Sequence, residues 1–400
     1  MRRRPGLIAD YQSDAAVFRS NVSRFWFAVM LVAVVVLGLG GTLPLIPGLV
    51  DFGLSGGLML IAVSAVFASI GAIGLNIVTG FAGQVSLGHA FFLGVGAFTG
   101  AVLGGTEVTR QVLDLSTGQF AEKTLVVGYN LDLIIWLPAA GLMAALVGLI
   151  VAPVAFRLRG LYLAFVTLGL VFIGDHLFRE ATSLTGGGGV GRESGVPSLF
   201  GFRFDESGEV FGIYLSKPQR LFFLGLALLL VMGLVAKNLA RSRVGRALAA
   251  IRDRDIAAEM MGIPLARYKM IAFVVSSFYA GVAGALLYSA IGRLEPGSFN
   301  LLLSIEFIAM VLIGGVATVS GSIMGAVFIT FLPRLVKWLA GFWLFGFISE
   351  SPAGGFITLA QMEQILFGGL IVAFLIFEPL GLYGIWIRVR NYWKAWPFSY

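Results

Sequence analysis

The chain of 400 residues has no cysteine, two histidines and few charged side chains. Without cysteine it forms no disulfide bond and no thiolate metal site. The two histidines, His89 and His176, are too few for a histidine-based metal cluster, so we predict no metal site. The dipeptide Gly-Lys is also absent, which excludes a phosphate-binding loop of the form G-x-x-x-x-G-K-[ST]. No catalytic constellation is predicted either, so we expect the protein not to be an enzyme.

Charge is scarce because the sequence is hydrophobic. Asp, Glu, Lys and Arg make up 12% of the chain and hydrophobic residues 58%, with a mean hydropathy of +0.93. Soluble domains are about 45–50% apolar and roughly 25% charged. The composition therefore predicts an integral membrane protein. Its net charge of +7 lies in blocks between hydrophobic runs, where basic residues set membrane orientation, so we predict no nucleic-acid partner.

The hydrophobic runs have the length of membrane-crossing helices, which need about 20 mostly apolar residues. They predict an all-α polytopic membrane protein with about ten transmembrane helices, within a range of about eight to ten. The predicted spans are 26–45, 58–78, 87–105, 133–156, 161–178, 221–236, 270–291, 301–319, 322–340 and 364–387.

Basic residues predict how the chain is oriented. Residues 237–269 carry a net charge of +5, and the arm 1–25 and the tail 388–400 are also basic, so all three should be cytoplasmic. Residues 26–387 then form one transmembrane domain, and the long connection 179–220 is an outer loop. In the ninth span, two basic residues fall on the disfavoured side, so this span is either re-entrant or its side chains reach to the interface (Arg334, Lys337).

One hydrophobic run is rich in glycine and polar side chains. The stretch GLNIVTGFAGQVSLGHAFFLGVGAFTG, residues 74–100, contains no charged residue. Its centre, residues 80–84, predicts a helix break, which must be buried in protein or line a wet cavity. One hypothesis makes the break a gate or part of a translocation path, and the alternative is that its polar side chains only bind neighbouring helices. The path candidates are Asn76, Gly80, Gly83, Gln84, Ser86 and His89.

A second stretch predicts an amphipathic helix in the cytoplasmic loop. In residues 241–262, Val244, Leu248, Ile251 and Ala258 recur at helical spacing, and Gly262 is a typical stop. Such a helix either rests on anionic lipid or docks a cytoplasmic partner.

Three stretches resemble the LivM-type permeases of branched-chain amino acid ABC importers: residues 74–100, GRALAAIRDRDIAAEMMGIPLARYKMIAFVVSSFYAGVAGAL at 245–286, and SIEFIAMVLIGGVATVSGSIMGAVF at 304–328. The stretches RLRGLYLAFVTLGL and SLTGGGG fit the same pattern, and the resemblance covers about residues 58–380. The sequence departs from the common pattern at Ala317, so no role is assigned there. A weak similarity between TGFAGQVSLG and IGGVATVSGS is compatible with inverted repeats.

The resemblance implies a permease subunit that imports leucine, isoleucine or valine by ATP-driven alternating access in the bacterial inner membrane. It implies no bound cofactor, because ATP binds two partner ATPases, together with a second LivH-like permease and an extracytoplasmic binding protein. Alternatives are a permease for urea, amides or other small amino acids, or an ion-coupled transporter. The 241–262 helix would couple to the ATPase through Gly245, Arg246, Arg252, Ala257, Ala258, Glu259 and Gly262.

Overall fold

The computed structural model describes residues 21–39, 56–113, 120–158, 160–187, 191–210, 212–340, 348–349 and 357–395. Residues 1–20 of the predicted arm and the last five residues of the predicted tail lie outside these ranges.

Helices make up most of the described chain, as the composition predicts. In order they are α1 (Asn21–Leu39), α2 (Gly56–Asn76), a π-helical turn (Ile77–Phe81), α3 (His89–Gly104), α4 (Leu133–Arg157), α5 (Leu161–Glu180), α6 (Thr182–Thr185), α7 (Lys217–Arg241), α8 (Arg243–Asp253), α9 (Asp255–Met260), α10 (Leu265–Ile291), a 3-10 turn (Pro296–Ser298), α11 (Leu301–Gly314), α12 (Val319–Ala340), α13 (Leu359–Phe377) and α14 (Gly381–Ala395).

The strands are short and lie in the connections between helices. They are β1 (Val108–Leu113), β2 (Phe120–Val126), β3 (Arg192–Glu193), β4 (Ser198–Leu199), β5 (Phe202–Arg203), β6 (Gly208–Val210), β7 (Ile213–Leu215), β8 (Arg293–Leu294), β9 (Ile348–Ser349) and β10 (Ile357–Thr358). They form five two-stranded ladders, of which four are antiparallel hairpins or pairs and one, between β9 and β10, is parallel.

The described helices confirm a polytopic all-α membrane protein. Seven of them are long and apolar enough to cross a bilayer, and the bent pair α13 and α14 would make an eighth. Every predicted span overlaps a described helix, although residues 40–45 of the first span lie outside the described residues. The apolar parts of α1 and α3 have 16 residues each (24–39 and 89–104), short of a full span. The count of ten therefore stays a prediction, and so does the cytoplasmic location of both termini.

Helix α10 is the centre of the bundle, and it packs against α2, α3 and α4. Small residues make this packing close, and Gly96 and Gly100 of α3, four residues apart, form a small-xxx-small pair. A Cβ added to Gly96 would run into the backbone of Gly281 in α10, and one on Gly284 would run into the backbone of Leu93. Because lipid offers no hydrophobic drive between helices, such backbone contact contributes van der Waals packing that larger residues would prevent.

The bundle has two ends, which we name from the charge of their connections. The basic end contains α8, α9 and the turn between α4 and α5, and the opposite end contains the β-hairpins and the loop after α5. At the opposite end the loop is anchored by Arg192, which is buried and donates to the carbonyls of Ala101 (2.5 Å), Leu184 (2.6 Å) and Val127 (3.0 Å). Burial lowers the pKa of Arg192 to about 10, so the guanidinium remains charged at neutral pH. It complements the negative C-terminal end of α3.

The structure corrects the predicted helices in two places. The single helix expected at 241–262 is two helices, because Arg254 adopts an extended conformation (φ −155°, ψ 98°) between them. The last span, 364–387, is divided into α13 and α14, which meet at 48°, and α14 makes the predicted tail helical as far as Ala395. Residues 319–340 form one continuous helix, with Arg334 and Lys337 in its last two turns, and both alternatives for this span stay predictions.

Replacing Gly96 by alanine is expected to lower the free energy of unfolding by about 1–3 kcal/mol, because overpacking against backbone cannot be relieved by a rotamer change. The matched control is Gly169→Ala in α5, where the added Cβ meets no heavy atom within 4 Å. The control should be neutral or stabilising by up to about 1 kcal/mol through helix propensity. Thermal unfolding of the purified protein in detergent measures both, and equal stability of the two variants would contradict the close packing of α3 on α10.

Candidate functional site

The predicted helix break is present, and we call residues 76–89, from the last residue of α2 to the first residue of α3, the broken segment. Helix α2 passes into the π-helical turn, and after Phe81 the chain is non-helical until α3 begins at His89. Lipid cannot satisfy the backbone groups released by such a break. Two hydroxyls from other helices do so instead: Thr167 of α5 accepts from the Leu87 amide at 2.9 Å, and Ser304 of α11 accepts from the Ala90 amide at 3.0 Å.

The side chain of Asn76 joins the broken segment to a second interruption. Residues 315–318, which we call the second turn, link α11 to α12. The Asn76 carbonyl oxygen accepts from the Ala317 amide at 2.8 Å, while its NH₂ group donates to the Thr318 carbonyl at 2.9 Å and to the Ser322 hydroxyl at 2.7 Å. Asn76 is 1% exposed. Its hydrogen-bonding groups are therefore engaged in holding the two interruptions together.

Gly80 makes this close approach of the two interruptions feasible. A Cβ at this position would collide with the Asn76 side chain and lie 2.5 Å from the Ala317 amide nitrogen. The left-handed backbone of Ala317 (φ 61°) belongs to the same contact. Gly80 and Asn76 thus favour the second interpretation of the sequence, in which residues of the break only bind neighbouring helices.

Other polar atoms of the broken segment have no hydrogen-bond partner. Among the described residues, four buried side-chain nitrogen or oxygen atoms lack one, and three of these lie between residues 79 and 89: Thr79 Oγ1, Gln84 Oε1 and His89 Nε2. Buried polar groups are normally paired, so each exception requires an explanation such as a ligand or water. Ser86 differs, because its hydroxyl accepts from the Gly88 amide at 3.4 Å.

His89 is oriented by its neighbours. Its ring hydrogen-bonds the backbone of Gly71 and packs against Phe307, with 5.1 Å between ring centroids. Because Nε2 is the unpaired nitrogen, the other nitrogen, Nδ1, donates to the Gly71 carbonyl. Nε2 is then a free acceptor, as Gln84 Oε1 is.

A cavity of about 250 Å³ separates the broken segment from the loop at the basic end. Its walls are residues 82–84, the start of α5, the junction of α8 and α9, and Lys269. Gln84 and Gly83 of the broken segment line it, so two of the six predicted path residues face this space. The wall from α8 and α9 brings cations and carboxylates of residues 252–255 to the same cavity.

Arg252 connects the loop to the broken segment across this cavity. Its Nη1 donates to the Gly80 carbonyl at 3.2 Å, and its Nε and Nη2 bond Asp253. Gly83 lies against it, because a Cβ there would be 2.9 Å from Arg252 Cγ. Arg252 was predicted to contact an ATPase, but in this chain its side chain reaches the broken segment.

The other predicted coupling residues are divided between buried and exposed positions. Gly245 and Ala258 are buried, whereas Arg246, Ala257 and Glu259 are exposed. Gly262 is left-handed (φ 82°), and the amides of Gly262 and Ile263 bond the Glu259 and Ala258 carbonyls, which confirms the predicted helix stop.

Sequence reasoning missed two features of this region. Ile256 and Met260 of α9 and Met261, which directly follows the helix, are exposed apolar residues, and the two methionines are each 85% exposed. Thr79 was also missed, although it directly precedes the glycine that was singled out. Within the described residues, no three His, Cys, Asp or Glu side chains are grouped to hold a metal ion.

A helical bundle with seven apolar spans, a buried interruption and no metal cluster in its described part has the features of a membrane transport protein. The family described as "branched-chain amino acid transport system / permease component" matches residues 57–375, and the chain belongs to this family. It is therefore a transport subunit, as the sequence predicted, and a multi-pass membrane protein.

Individual relatives agree with this assignment. The chain is 30% identical over 343 residues to the high-affinity branched-chain amino acid transport system permease protein LivM of Escherichia coli K12, covering 83% of this chain and 71% of the relative. It is 27% identical over 195 residues to BraD of Pseudomonas aeruginosa, with 48% and 56% covered. It is 30% identical over 151 residues to the autoinducer 2 import system permease protein LsrC of Enterobacter sp. 638, with 36% and 44% covered. No solved structure matches.

Replacing Asn76 by alanine is expected to destabilise the protein by about 1–3 kcal/mol or more, because buried groups of the second turn lose their partners. Ser69→Ala is the matched control, since Ser69 is equally buried in α2 but bonds only the Ala65 carbonyl of its own helix. Thermal unfolding in detergent measures the difference. An Asn76→Ala protein as stable as the Ser69→Ala protein would show that the two interruptions do not depend on this amide.

Proposed function

We propose that the chain is the permease subunit of an ABC importer that moves branched-chain amino acids into the cytoplasm of a bacterium. The substrate class rests on the family description and on LivM and BraD, whose names state branched-chain amino acid transport. ATP is bound by two separate ATPase subunits, since no phosphate-binding loop occurs in this sequence. A second permease subunit and an extracytoplasmic binding protein complete the transporter in the inner membrane.

The solute contacts the broken segment, and the observation that carries this step is the group of unpaired atoms there. Gln84 Oε1 and His89 Nε2 are acceptors, and the Thr79 hydroxyl can accept or donate. Unpaired buried acceptors favour a ligand that brings donors, and the ammonium group of an amino acid is such a ligand. Asn76, Gly80 and Ser86 shape the segment without contacting the solute.

Movement reaches the broken segment through the loop at the basic end. A partner ATPase binds the exposed apolar residues of α9, Ile256, Met260 and Met261. When the ATPases close, α8 moves with α9, and Arg252 transmits the displacement to the Gly80 carbonyl. The broken segment then changes its exposure between the two sides of the membrane, which is alternating access by the displacement of one packed element.

Import of a different small solute is the second candidate. LsrC, a relative over about a third of the chain, is named for autoinducer 2 import, so related permeases serve chemically different solutes. The test is reconstitution of the complete transporter in vesicles. Stimulation of ATP hydrolysis by the binding protein loaded with leucine, isoleucine or valine, and not with urea or an amide, supports the first candidate. The reverse result supports the second.

Replacing Gly83 by leucine is expected to reduce uptake at least about tenfold. The leucine side chain would fill the space between Gly83 and Arg252 and part of the cavity. A clash that costs about 1–3 kcal/mol is sufficient for this reduction. Uptake of radiolabelled leucine into cells is the measurement. The control is Gly201→Leu in the opposite-end loop, where φ is equally positive (83° against 68°) but no heavy atom lies within 4 Å. Wild-type uptake by Gly83→Leu would exclude the broken segment from the path.

Replacing Arg252 by glutamine is expected to lower the number of solutes imported per ATP about fivefold, because the loss of one hydrogen bond of about 1 kcal/mol corresponds to a factor of about five. ATP hydrolysis should continue, because the ATPase contact on α9 is intact. Uptake and hydrolysis are measured together in vesicles. Arg243→Gln, an exposed position on the same helix, is the control and should remain coupled. If Arg252→Gln is as tightly coupled as the control, the route through Gly80 is wrong.

A further inference from the structure

The cavity at the basic end reaches from the solvent to the broken segment. On its inner side lies Gln84, which is 5% exposed and whose Oε1 is one of the unpaired buried atoms. On its outer side lies Asp253, whose side chain is 68% exposed. Thr79 and His89, which hold the other unpaired atoms of the broken segment, do not line it. The cavity is therefore a separate space that a small molecule can enter from the basic end.

Charges of both signs lie in the walls of this cavity. Two carboxylates and three cations line it: Asp253, Asp255, Arg252, Arg254 and Lys269. Lys269 is 7% exposed, although ammonium groups are rarely buried, and it lies near the start of α10, where the helix dipole is positive. An ammonium group has three donors, so Lys269 can bind a carboxylate in addition to a partner within the protein. The lining thus offers partners to an anion and to a cation at once.

The cavity also has an apolar part, and its volume limits the size of a ligand. Leu158, which follows α4, Leu163 of α5 and Ile251 of α8 line it. Pockets for drug-sized ligands have about 300–1,000 Å³, so a cavity of about 250 Å³ fits a smaller molecule. A molecule with an ammonium group, a carboxylate and a short aliphatic side chain matches the three kinds of surface. A phosphate fits less well, because it would lie beside two carboxylates.

We propose that this cavity is a regulatory site that binds a zwitterionic aliphatic amino acid from the cytoplasmic side and thereby slows import. The proposal rests on the proposed function, which places the basic end in the cytoplasm and the moving contact at Arg252. The ammonium group of the ligand binds Gln84 Oε1 and a carboxylate of the loop. Its own carboxylate binds Lys269, and its side chain packs on the apolar part of the lining.

The bound amino acid slows import because it bridges parts that must move. Gln84 belongs to the broken segment, Asp253 to α8 and Lys269 to α10. In the arrangement described here, where Arg252 bonds the Gly80 carbonyl, these three parts surround the cavity. A ligand that binds one conformation better than the others shifts the population toward that conformation. At ten times its Kd, a ligand that binds only this arrangement should lower the population of the others, and with it the rate of transport, about tenfold.

The test uses the complete transporter in vesicles, with the ATPases outside and the loaded binding protein in the lumen. ATP hydrolysis is measured while leucine is added outside, and it should fall. Two analogues keep the aliphatic side chain but lose one charge: isoamylamine lacks the carboxylate and isocaproate lacks the ammonium group. Each should need an at least about tenfold higher concentration, because a charge-assisted hydrogen bond is missing. The binding protein carries whichever solute stimulates hydrolysis, so an error in the proposed solute would not affect this result.

Replacing Lys269 by methionine connects the inhibition to the cavity. It should raise the leucine concentration for half inhibition about tenfold or more, with each protein measured relative to its own rate without leucine. Arg267→Met is the matched control, since Arg267 is an exposed cation on the same helix that does not line the cavity. The proposal is overturned if leucine outside has no effect, if isocaproate inhibits as well as leucine, or if Lys269→Met and Arg267→Met are inhibited alike. Should Lys269→Met fail to assemble, the comparison of the analogues decides.

Discussion

The structure depends on one constraint, that backbone amides and carbonyls released from a helix inside a membrane must find partners in the protein. The broken segment meets it with hydroxyls of α5 and α11, and the second turn meets it with the side chain of Asn76. These partners come from distant parts of the sequence, so the interruption can exist only when the whole bundle is assembled. A small change in the broken segment therefore affects several helices at once.

This arrangement makes the basic end a connected unit. Asn76 ties the broken segment to the second turn, Arg252 ties it to α8, and Gly315 places the second turn against the start of α14. At the opposite end, Arg192 ties the loop after α5 to the last turn of α3. Helix α3 thus runs from the broken segment to an anchored loop at the opposite end of the bundle. Rigid elements that end at such contacts can carry a displacement from one side of the membrane to the other.

Hydrophobicity, charge and glycine were sufficient to predict the helices, the basic loop and the place of the break, since each is a local property of the chain. The partners of Asn76 were not predictable, because Thr318 is 242 residues away. The division at Arg254 was missed, because neither glycine nor proline marks it. The charge of Arg192 predicts an exposed side chain. Arg192 is nevertheless buried, and it donates to carbonyls of three other segments. Tertiary contacts decide these features.

In the broken segment, side chains whose polar atoms are hydrogen-bonded form the scaffold, and side chains with unpaired polar atoms are the candidates for the path. Leaving a buried donor or acceptor without a partner costs about 1–3 kcal/mol. In the same short segment Asn76 is fully paired, and hydroxyls of α5 and α11 bond the backbone, so unpaired atoms are not a general defect of its packing. Thr79, Gln84 and His89 therefore carry a cost that their neighbours avoid. A solute that passes and supplies the missing donors would offset it, and the segment would then bind weakly enough to release its cargo.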